Sequence, residues 1–464
     1  MPKAESTNHA RLFNMRLFNM FIDDIGYIFD EPCEPIHTIK KPLSHLLYAD
    51  DLVLLSSSET GLNNCLAKLN LYCKKWHLEV NLKKSQIIVF NGAGKKLDNY
   101  SFMFGEVKME IVKSYTYLGL ELVASGSFWL ARDNLMDKAR KAIFPLLSTI
   151  SKFQLPCANS VKLFQSLIRP IVLYNSENWA SFTFGQIKKI NEIPNNLLSL
   201  LTGSEPDKVF QKFIKFILGV NTSCTNAVTL GEIGEYPMML HALSSLVTFW
   251  HRVSNMSEDT LVKQALNIQL QLGPEWLGTV NLVMSTIGLN SHYQDPKLVG
   301  TKVFKELVNK RLKQYFVELW LAHISGAHLQ QGESSKLRFY KQVKESFERE
   351  PYLKVIPIFH IRKVITKFRC SDHILEIEKG RHNKTKIEDR ICKTCNQGIE
   401  DEMHFLKSCK TYSNLRDHYF CDKTKNIEWK KVIQCKDKDT SFKLGNFLIR
   451  AFKIRERLLD PLNM

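Results

Sequence analysis

The feature that most constrains this chain is HLLYADDLVLLSSS at residues 45–58, where two adjacent aspartates interrupt an apolar run. Apolar stretches on each side favour two short strands, and Asp favours the turn between them. Such a hairpin would place Asp50 and Asp51 at its tip. Neighbouring carboxylates beside apolar surface are costly unless a cation meets them. The stretch therefore predicts either a Mg²⁺ site, since Mg²⁺ uses one or two protein carboxylates together with substrate phosphates, or a solvated acidic turn.

The segments after this hairpin indicate an α+β domain followed by helices. Residues 60–81 carry leucines at helical spacing, and residues 81–90 (NLKKSQIIVF) run from a basic turn into an apolar strand. Residues 114–122 (SYTYLGLEL) are predicted to form a strand with a glycine step. Residues 127–153 and 206–220 have the apolar periodicity of amphipathic helices. Their basic side chains are expected to contact either nucleic acid or only water.

Charge is distributed unevenly along the 464 residues, which are enough for more than one domain. The formal net charge is +17, and residues 301–464 hold 35 Lys and Arg against 21 Asp and Glu. The first 300 residues hold 29 against 26. A basic C-terminal region favours a polyanionic partner such as nucleic acid. The alternative is a basic surface that only maintains solubility.

Neither a membrane anchor nor a secretory signal is predicted. No window of about 18 uncharged apolar residues occurs, and the N-terminal segment lacks an apolar core followed by a small-residue cleavage site. The eleven cysteines are scattered and odd in number, which favours reduced thiols and a metal site over a disulfide framework. We therefore expect an intracellular protein, nuclear or cytoplasmic, without a membrane partner.

Four possible metal ligands occur in the spacing Cys392-x2-Cys395-x8-His404-x4-Cys409. A Cys-x2-Cys turn presents two thiolates to one ion, and three thiolates with one imidazole suit tetrahedral Zn²⁺. His404 and Cys409 are five residues apart and so do not share one face of an α-helix. A helix end is expected between them. The alternative is a chance Cys-x2-Cys pair near a histidine.

The densest basic run precedes these ligands, at residues 360–390. Its cations surround an apolar strip, which predicts a surface that binds phosphates rather than reads bases. A solvated helical face is the alternative. The nucleic-acid-binding side chains that we predict are Arg362, Lys363, Lys367, Arg369 and Arg381.

Taken together, these segments resemble the reverse transcriptases of non-LTR (LINE-type) retrotransposons. Tyr48-Ala49-Asp50-Asp51 resembles the catalytic YADD box of that family. Residues 81–85 (NLKKS) resemble its N-x-x-K-[ST] motif, and Tyr117-Leu118-Gly119 resembles the primer-grip YLG. Further resemblances lie in the thumb-like stretch at 163–180 (LFQSLIRPIVLYNSENWA), in residues 225–238 and in the cysteine/histidine motif. The resemblance extends from about residue 17 to the C-terminus.

The resemblance implies an RNA-directed DNA polymerase that uses two Mg²⁺ ions. Asp50 and Asp51 would be metal ligands, and Tyr48 would lie in the palm floor near the primer end or the incoming nucleotide. Lys84 would lie near the triphosphate, where it offsets charge or donates a proton, unless it is a solvated turn lysine. The implied partners are an RNA template, a DNA primer or target, and deoxynucleoside triphosphates.

The chain also departs from the family pattern. The family has an earlier palm strand with a third aspartate (F-x-D-x-x-x-A-F-D) and a G-x-P-Q-G motif, neither of which occurs in the 47 residues before Tyr48. Asp23 and Asp24 match a later family helix and do not replace that aspartate. We therefore expect the C-terminal part of a reverse transcriptase, inactive alone. The alternatives are a non-enzymatic nucleic-acid-binding protein, a decayed element without function, and a fragment completed by an upstream reading frame.

The predicted architecture is α+β, with part of a right-hand polymerase palm sheet followed by a mostly helical region and a small zinc-knuckle subdomain. Residues 1–125 would form the truncated palm and 126–204 the helical thumb. Residues 205–345 would form a helical connector, and 346–464 a basic C-terminal domain with the knuckle. The oligomeric state is left open.

Overall fold

The chain forms two compact units in a computed structural model. The first contains residues 1–131, 249–281 and 295–297, and the second contains 132–248, 282–294 and 298–464. Among the described residues, no helix is long and apolar enough to cross a membrane. The structure describes residues 18, 20–29, 33–37, 42–97, 99–184 (without the side chains of 182–184), 198, 201–273, 275–326, 337–420 and 427–459.

All named strands of the described chain belong to the first unit, where they associate two by two. One pair is parallel and the other four are antiparallel. The pairs are β1 (Ile36–His37) with β2 (Pro42–Leu43), β3 (His45–Tyr48) with β4 (Asp51–Leu54), β5 (Ile87–Ile88) with β8 (Ile111–Val112), β6 (Met103–Phe104) with β7 (Val107–Lys108), and β9 (Ser114–Tyr117) with β10 (Leu120–Val123).

The strand predicted over 114–122 is a hairpin instead. Leu118 and Gly119 form its two-residue turn, with φ angles of 47° and 80°. Positive φ at both central residues is the geometry that matches the twist of the flanking strands. The glycine that looked like a step within one strand therefore reverses the chain.

Helix α1 (Glu59–Trp76) supports the strands of the first unit. It begins where the Ser58 hydroxyl accepts a hydrogen bond from the Gly61 amide (2.9 Å), and it ends at His77 in the left-handed conformation. Its buried face includes Cys65, Leu69 and Tyr72, which pack with Phe29 of the 3₁₀ helix Asp23–Phe29. The helix predicted from leucine spacing is confirmed.

Beyond residue 128 the described chain is almost entirely helical, so the molecule as a whole is mostly helical with small sheets. The helices predicted over 127–153 and 206–220 are confirmed, as α2 and α6 below. In chain order the helices are α2 (Trp129–Lys152), α3 (Cys157–Leu167), α4 (Arg169–Val172), α5 (Ser176–Phe184), α6 (Glu205–Leu218), α7 (Asn226–Ile233), α8 (Met238–Ser254), α9 (Leu261–Leu272), α10 (Glu275–Thr286), α11 (Asn290–Gln294), α12 (Thr301–Ser325), α13 (Tyr340–Val343), α14 (Tyr352–Val355), α15 (Phe359–Arg369), α16 (Glu376–His382), α17 (Ser413–Phe420), α18 (Trp429–Gln434) and α19 (Lys438–Leu459).

The second unit has a buried ion network in its interior. Arg369 of α15 is fully buried, and its guanidinium contacts Glu232 of α7 (3.0 Å) and Glu350 (2.8 Å). It also donates to the Ile433 carbonyl (2.7 Å) in α18. Because its donors are paired, the buried charge is tolerated. Three elements distant in sequence are thereby fixed to one another.

Candidate functional site

The two aspartates lie at a tight turn between β3 and β4. Tyr48 pairs with Asp51, and Ala49 and Asp50 are the turn residues. Ala49 has φ 55°, a conformation that costs energy for a residue with a Cβ. Such strained residues occur often at functional sites. The structure places Asp50 in the turn itself and Asp51 as the first residue of β4.

The two faces of this hairpin differ. Leu52 and Leu54 pack against the buried cluster around α1, whereas Asp51 alternates with them onto the opposite face, together with its partner Tyr48. Tyr48 is 62% exposed, and Asp50 and Asp51 are exposed as well. In the part of the chain that the structure describes, neither carboxylate accepts a hydrogen bond or contacts a cationic side chain. The tip therefore presents negative charge that is open to a dissolved cation.

The YLG and NLKKS segments lie in the same unit as this tip. Burial raises the pKa of Tyr117, and the negative charge of nearby Asp51 raises it further. The Tyr115 hydroxyl donates to the Lys84 carbonyl (3.0 Å), which joins β9 to the basic turn. Lys84 is exposed, and its amide donates to the carbonyl of Asn81 (3.0 Å). A hydrogen bond thus joins the YLG hairpin to the basic turn, and an electrostatic interaction relates it to Asp51.

Among the described residues, no third Asp, Glu, His or Cys side chain forms a metal-binding group with the two aspartates. The single group of three or more possible metal-binding side chains that they contain lies elsewhere. Asp24 instead accepts a hydrogen bond from the Tyr72 hydroxyl of α1 (2.5 Å). Burial, together with this contact, raises the pKa of Tyr72. Asp24 therefore fastens the 3₁₀ helix to α1, in keeping with its expected place in a helix.

A comparison with protein families gives a match for this segment. Residues 16–122 match the family model of "Reverse transcriptase (RNA-dependent DNA polymerase)". The match contains the YADD hairpin, the NLKKS turn and the YLG hairpin. The chain thus contains a segment that matches the reverse transcriptase family, and this match supports the polymerase family predicted from these motifs. No curated protein matches the chain.

The other candidate site brings the four predicted zinc ligands together. The ligand atoms of Cys392, Cys395, His404 and Cys409 lie within 4.8 Å of one another. The sulfurs of Cys392 and Cys409 are 3.9 Å apart, and the Cys395 sulfur is 3.4 Å from Nε2 of His404. A tetrahedral Zn²⁺ with ordinary bond lengths separates two sulfurs by about 3.8 Å and a sulfur from a nitrogen by about 3.6 Å. The cluster fits such an ion.

A short π-helix places His404 and Cys409, which are five residues apart, on the same side of one turn. Residues His404–Ser408 form one turn in which the Cys409 amide donates to the His404 carbonyl (2.7 Å). Because this bond spans five residues, both ligands lie on the same side of the turn. Asp401 caps the turn by accepting from the His404 amide (2.7 Å). Burial lowers the pKa of His404 and so favours the neutral imidazole that binds metals.

The predicted nucleic-acid-binding residues separate into two groups. Arg369 is fully buried in the ion network, and Arg362 is buried with its guanidinium on the carbonyls of Ile356 (2.9 Å) and Pro357 (2.6 Å). A buried guanidinium that bonds to groups inside the fold is not accessible to a phosphate in solvent. For these two residues the prediction changes to an internal, structural role.

The remaining three stay candidates for a phosphate-binding surface. Lys363 is exposed and Lys367 is half-buried. Arg381 is half-buried, and its Nε contacts Glu378 (3.0 Å). The three therefore differ from Arg362 and Arg369 in remaining accessible to solvent.

Sequence patterns did not predict the acidic partners of the buried arginines. Glu232, Glu376 and Glu400 are buried beside arginines of distant segments. A signal for Arg369 did exist, because it lies four residues after Ile365 on the apolar stripe of α15. A lone charge on such a stripe indicates a buried partner, but the identity of the partner depends on tertiary contacts.

Proposed function

We propose that this chain is the C-terminal part of the reverse transcriptase of a non-LTR (LINE-type) retrotransposon. One observation carries the proposal. In a segment that matches the reverse transcriptase family, Asp50 and Asp51 are exposed and without partners among the described residues, at a strained turn beside Tyr117. In this proposal residues 1–125 are the truncated palm and 126–204 the thumb. Residues 205–345 are the connector, and 346–464 the C-terminal domain.

Asp50 and Asp51 would hold Mg²⁺, which suits exposed carboxylates with room for water and phosphate ligands. When bound, such ions activate a primer hydroxyl and stabilise a departing pyrophosphate. The residues of this chain contribute position and charge. Tyr48 is exposed on the same face as Asp51, where it can contact the primer end or the incoming nucleotide. Lys84 is exposed at its turn and would offset triphosphate charge.

We propose further that the 464 residues alone do not polymerise. Two Mg²⁺ ions bring four positive charges, and the described residues supply only two neighbouring carboxylates. Each tenfold loss of rate corresponds to about 1.4 kcal/mol of activation free energy, so the loss of one bridging ligand is expected to be severe. A carboxylate from another segment or chain would complete the site.

Primer extension on an RNA template with a DNA primer and Mg²⁺ tests both proposals. The samples are the full chain, Asp50→Ala, and the control Glu106→Ala, which removes an exposed carboxylate elsewhere in the same unit. We expect no extension from any of them, and extension after addition of a segment with the family's first aspartate motif. Extension by the full chain and Glu106→Ala, but not by Asp50→Ala, would contradict the inactivity and support the polymerase. Extension by Asp50→Ala would contradict the metal-binding role.

Two further parts of the proposal concern the C-terminal domain. Cys392, Cys395, His404 and Cys409 would hold Zn²⁺, and the accessible cations Lys363, Lys367 and Arg381 would contact phosphates of element RNA or target DNA. Such a chain would act on nucleic acid and deoxynucleoside triphosphates in the nucleus or the cytoplasm. Zinc content of the purified chain, measured by atomic emission, tests the first part.

A second function, RNA or DNA binding without catalysis, is favoured by the concentration of positive charge in residues 301–464. Phosphate contacts predict an affinity that falls steeply with salt. We would measure binding of single-stranded RNA and DNA for the full chain and for a triple Ala variant of Lys363, Lys367 and Arg381. Salt-dependent binding that the triple variant weakens supports this function, and binding that is unchanged in the variant contradicts the assigned surface.

A further inference from the structure

The turn that carries two of the predicted zinc ligands is part of the core of the second unit. Phe405 and Leu406 are fully buried between His404 and Cys409. The Phe405 ring stacks on Phe452 (4.7 Å between centroids) and also meets Phe447 (6.5 Å), both from α19. The π-turn thus places its apolar residue on the C-terminal helix.

Phe405 also contacts two other elements. Its ring lies 4.8 Å from that of Tyr412 and 6.2 Å from that of Phe368 in α15. A π-turn rotates the chain by a smaller angle per residue than an α-helical turn. The direction of the Phe405 side chain therefore depends on the same five-residue hydrogen bond that aligns His404 with Cys409. Ligand alignment and core packing are therefore set by the same backbone geometry.

A buried ion pair joins the ligands to the same helix. Glu400 is fully buried, and its Oε1 lies 3.7 Å from the Cys392 sulfur. Arg455 of α19 is also buried and holds both oxygens of Glu400, with Nε at 2.8 Å and Nη2 at 2.7 Å. Its Nη2 reaches Glu376 as well (3.3 Å). The carboxylate beside a ligand sulfur is thus oriented by a residue of the C-terminal helix.

The negative charge around the metal ligands explains why arginines lie beside them. Three thiolates around a divalent ion carry one net negative charge, and Glu400 adds another beside Cys392. In a buried setting this accumulation is unfavourable unless cations offset it. Arg455 supplies one cation. Arg416 supplies another, since its guanidinium donates to the carbonyls of Leu406 (2.9 Å) and Cys409 (2.8 Å).

We propose that the Cys392/Cys395/His404/Cys409 cluster is a lock for helix α19, with Arg455 as a positioning residue that orients Glu400 beside the metal ligands. The proposal rests on the zinc site of the proposed function and adds a coupling to it. Metal binding and docking of α19 stabilise each other, and by linkage each strengthens the other by the same factor. The cluster is thus a structural part of the second unit rather than a finger that is presented separately to nucleic acid.

The test is metal affinity in the full-length chain. Zn²⁺ competition with a chromophoric chelator, and the visible spectrum after Co²⁺ substitution, report on the ligand sphere itself. The variants are Arg455→Met, which removes the cation but no ligand, and Arg455→Lys, which restores the charge. Lys453→Met removes an exposed cation two residues away on the same helix and is the matched control. Phe316→Leu weakens the core of the same unit at α12 and controls for general destabilisation.

We expect Arg455→Met to weaken Zn²⁺ binding about 10- to 100-fold, the range found for residues that support metal ligands, and to weaken the Co²⁺ spectrum. Arg455→Lys should recover part of the affinity, while Lys453→Met and Phe316→Leu should bind like the unchanged chain. Chelation should make α19 sensitive to limited proteolysis, as should Cys395→Ser.

Two different failures remain distinguishable. If the unchanged chain binds no Zn²⁺, the metal site of the proposed function is wrong. If it binds Zn²⁺ and Arg455→Met binds equally well, with α19 protected after chelation, the metal site holds and the lock is wrong.

Discussion

Charged side chains have opposite environments at the tip of the β3–β4 hairpin and in the interior of the second unit. At the tip, Asp50 and Asp51 are exposed and, within the described chain, contact no cation. In the second unit Glu232 and Arg369 are fully buried and paired with each other (3.0 Å). Buried ions persist only when paired, whereas unpaired carboxylates persist when water or a ligand surrounds them. The difference separates charge that holds the fold from charge that is open to a ligand.

The largest effect is expected in the buried network. Glu232→Gln keeps the size of the side chain but removes one of the two carboxylates that contact Arg369. We expect a loss of about 3–5 kcal/mol in the free energy of unfolding, the usual cost of breaking a buried pair. Urea unfolding followed by circular dichroism measures it. The control is Glu428→Ala, whose partner Lys431 is on the surface and whose loss should cost less than about 1 kcal/mol. If both variants lost the same free energy of unfolding, the contrast between buried and surface charge would be wrong.

A pH dependence should follow from a second buried acid, Asp207. Asp207 lies in α6 and is fully buried, and its carboxylate accepts hydrogen bonds from the amides of Met238 (2.7 Å) and Met239 (3.0 Å) at the start of α8. Burial raises the pKa of Asp207 to about 7. The pKa of Asp207 is thus higher in the folded chain than in the unfolded chain. Its contribution to the free energy of unfolding is therefore largest below the unfolded pKa, and it decreases as the pH rises toward 7.

Asp207→Asn isolates this contribution. The side chain of the variant cannot ionise. The free energy of unfolding of the unchanged chain minus that of the variant should therefore decrease from pH 4 to pH 7, by at most about 1.4 kcal/mol per pH unit. Unfolding at a series of pH values gives that difference. A difference independent of pH would show that Asp207 titrates normally in the folded state.

The smallest effect is expected at the hairpin tip. Asp50→Ala removes an exposed carboxylate that has no partner among the described residues, so the free energy of unfolding should change by less than about 0.5 kcal/mol. Thermal unfolding of the two proteins without divalent ions measures this. A loss of several kcal/mol would mean that Asp50 supports the fold, and the contrast between the two regions would disappear.

Local patterns in the sequence were enough for several parts of this protein. Leucine spacing predicted α1, apolar periodicity predicted α2 and α6, and the doublet Asp50-Asp51 predicted a strand–turn–strand. The cysteine and histidine spacing predicted the cluster that the structure brings together. These features depend on neighbours within a few residues, and such neighbours are visible in the chain itself.

Long-range contacts decided the rest. Arg362 and Arg369 belong to the same basic run as Lys363, yet the fold buries the first two. Glu232 and the Ile433 carbonyl, both far away in the chain, accept hydrogen bonds from Arg369, whereas Arg362 bonds to backbone carbonyls only five and six residues before it. His404 and Cys409 are separated by four residues, and they lie on the same side of the turn only because that turn is a π-helix. Phe405, within the same turn, packs in the core. Periodicity shows which residue types can share a helix face. Which of them lie inside depends on the free energy of contacts between distant segments, and those contacts form only in the folded chain.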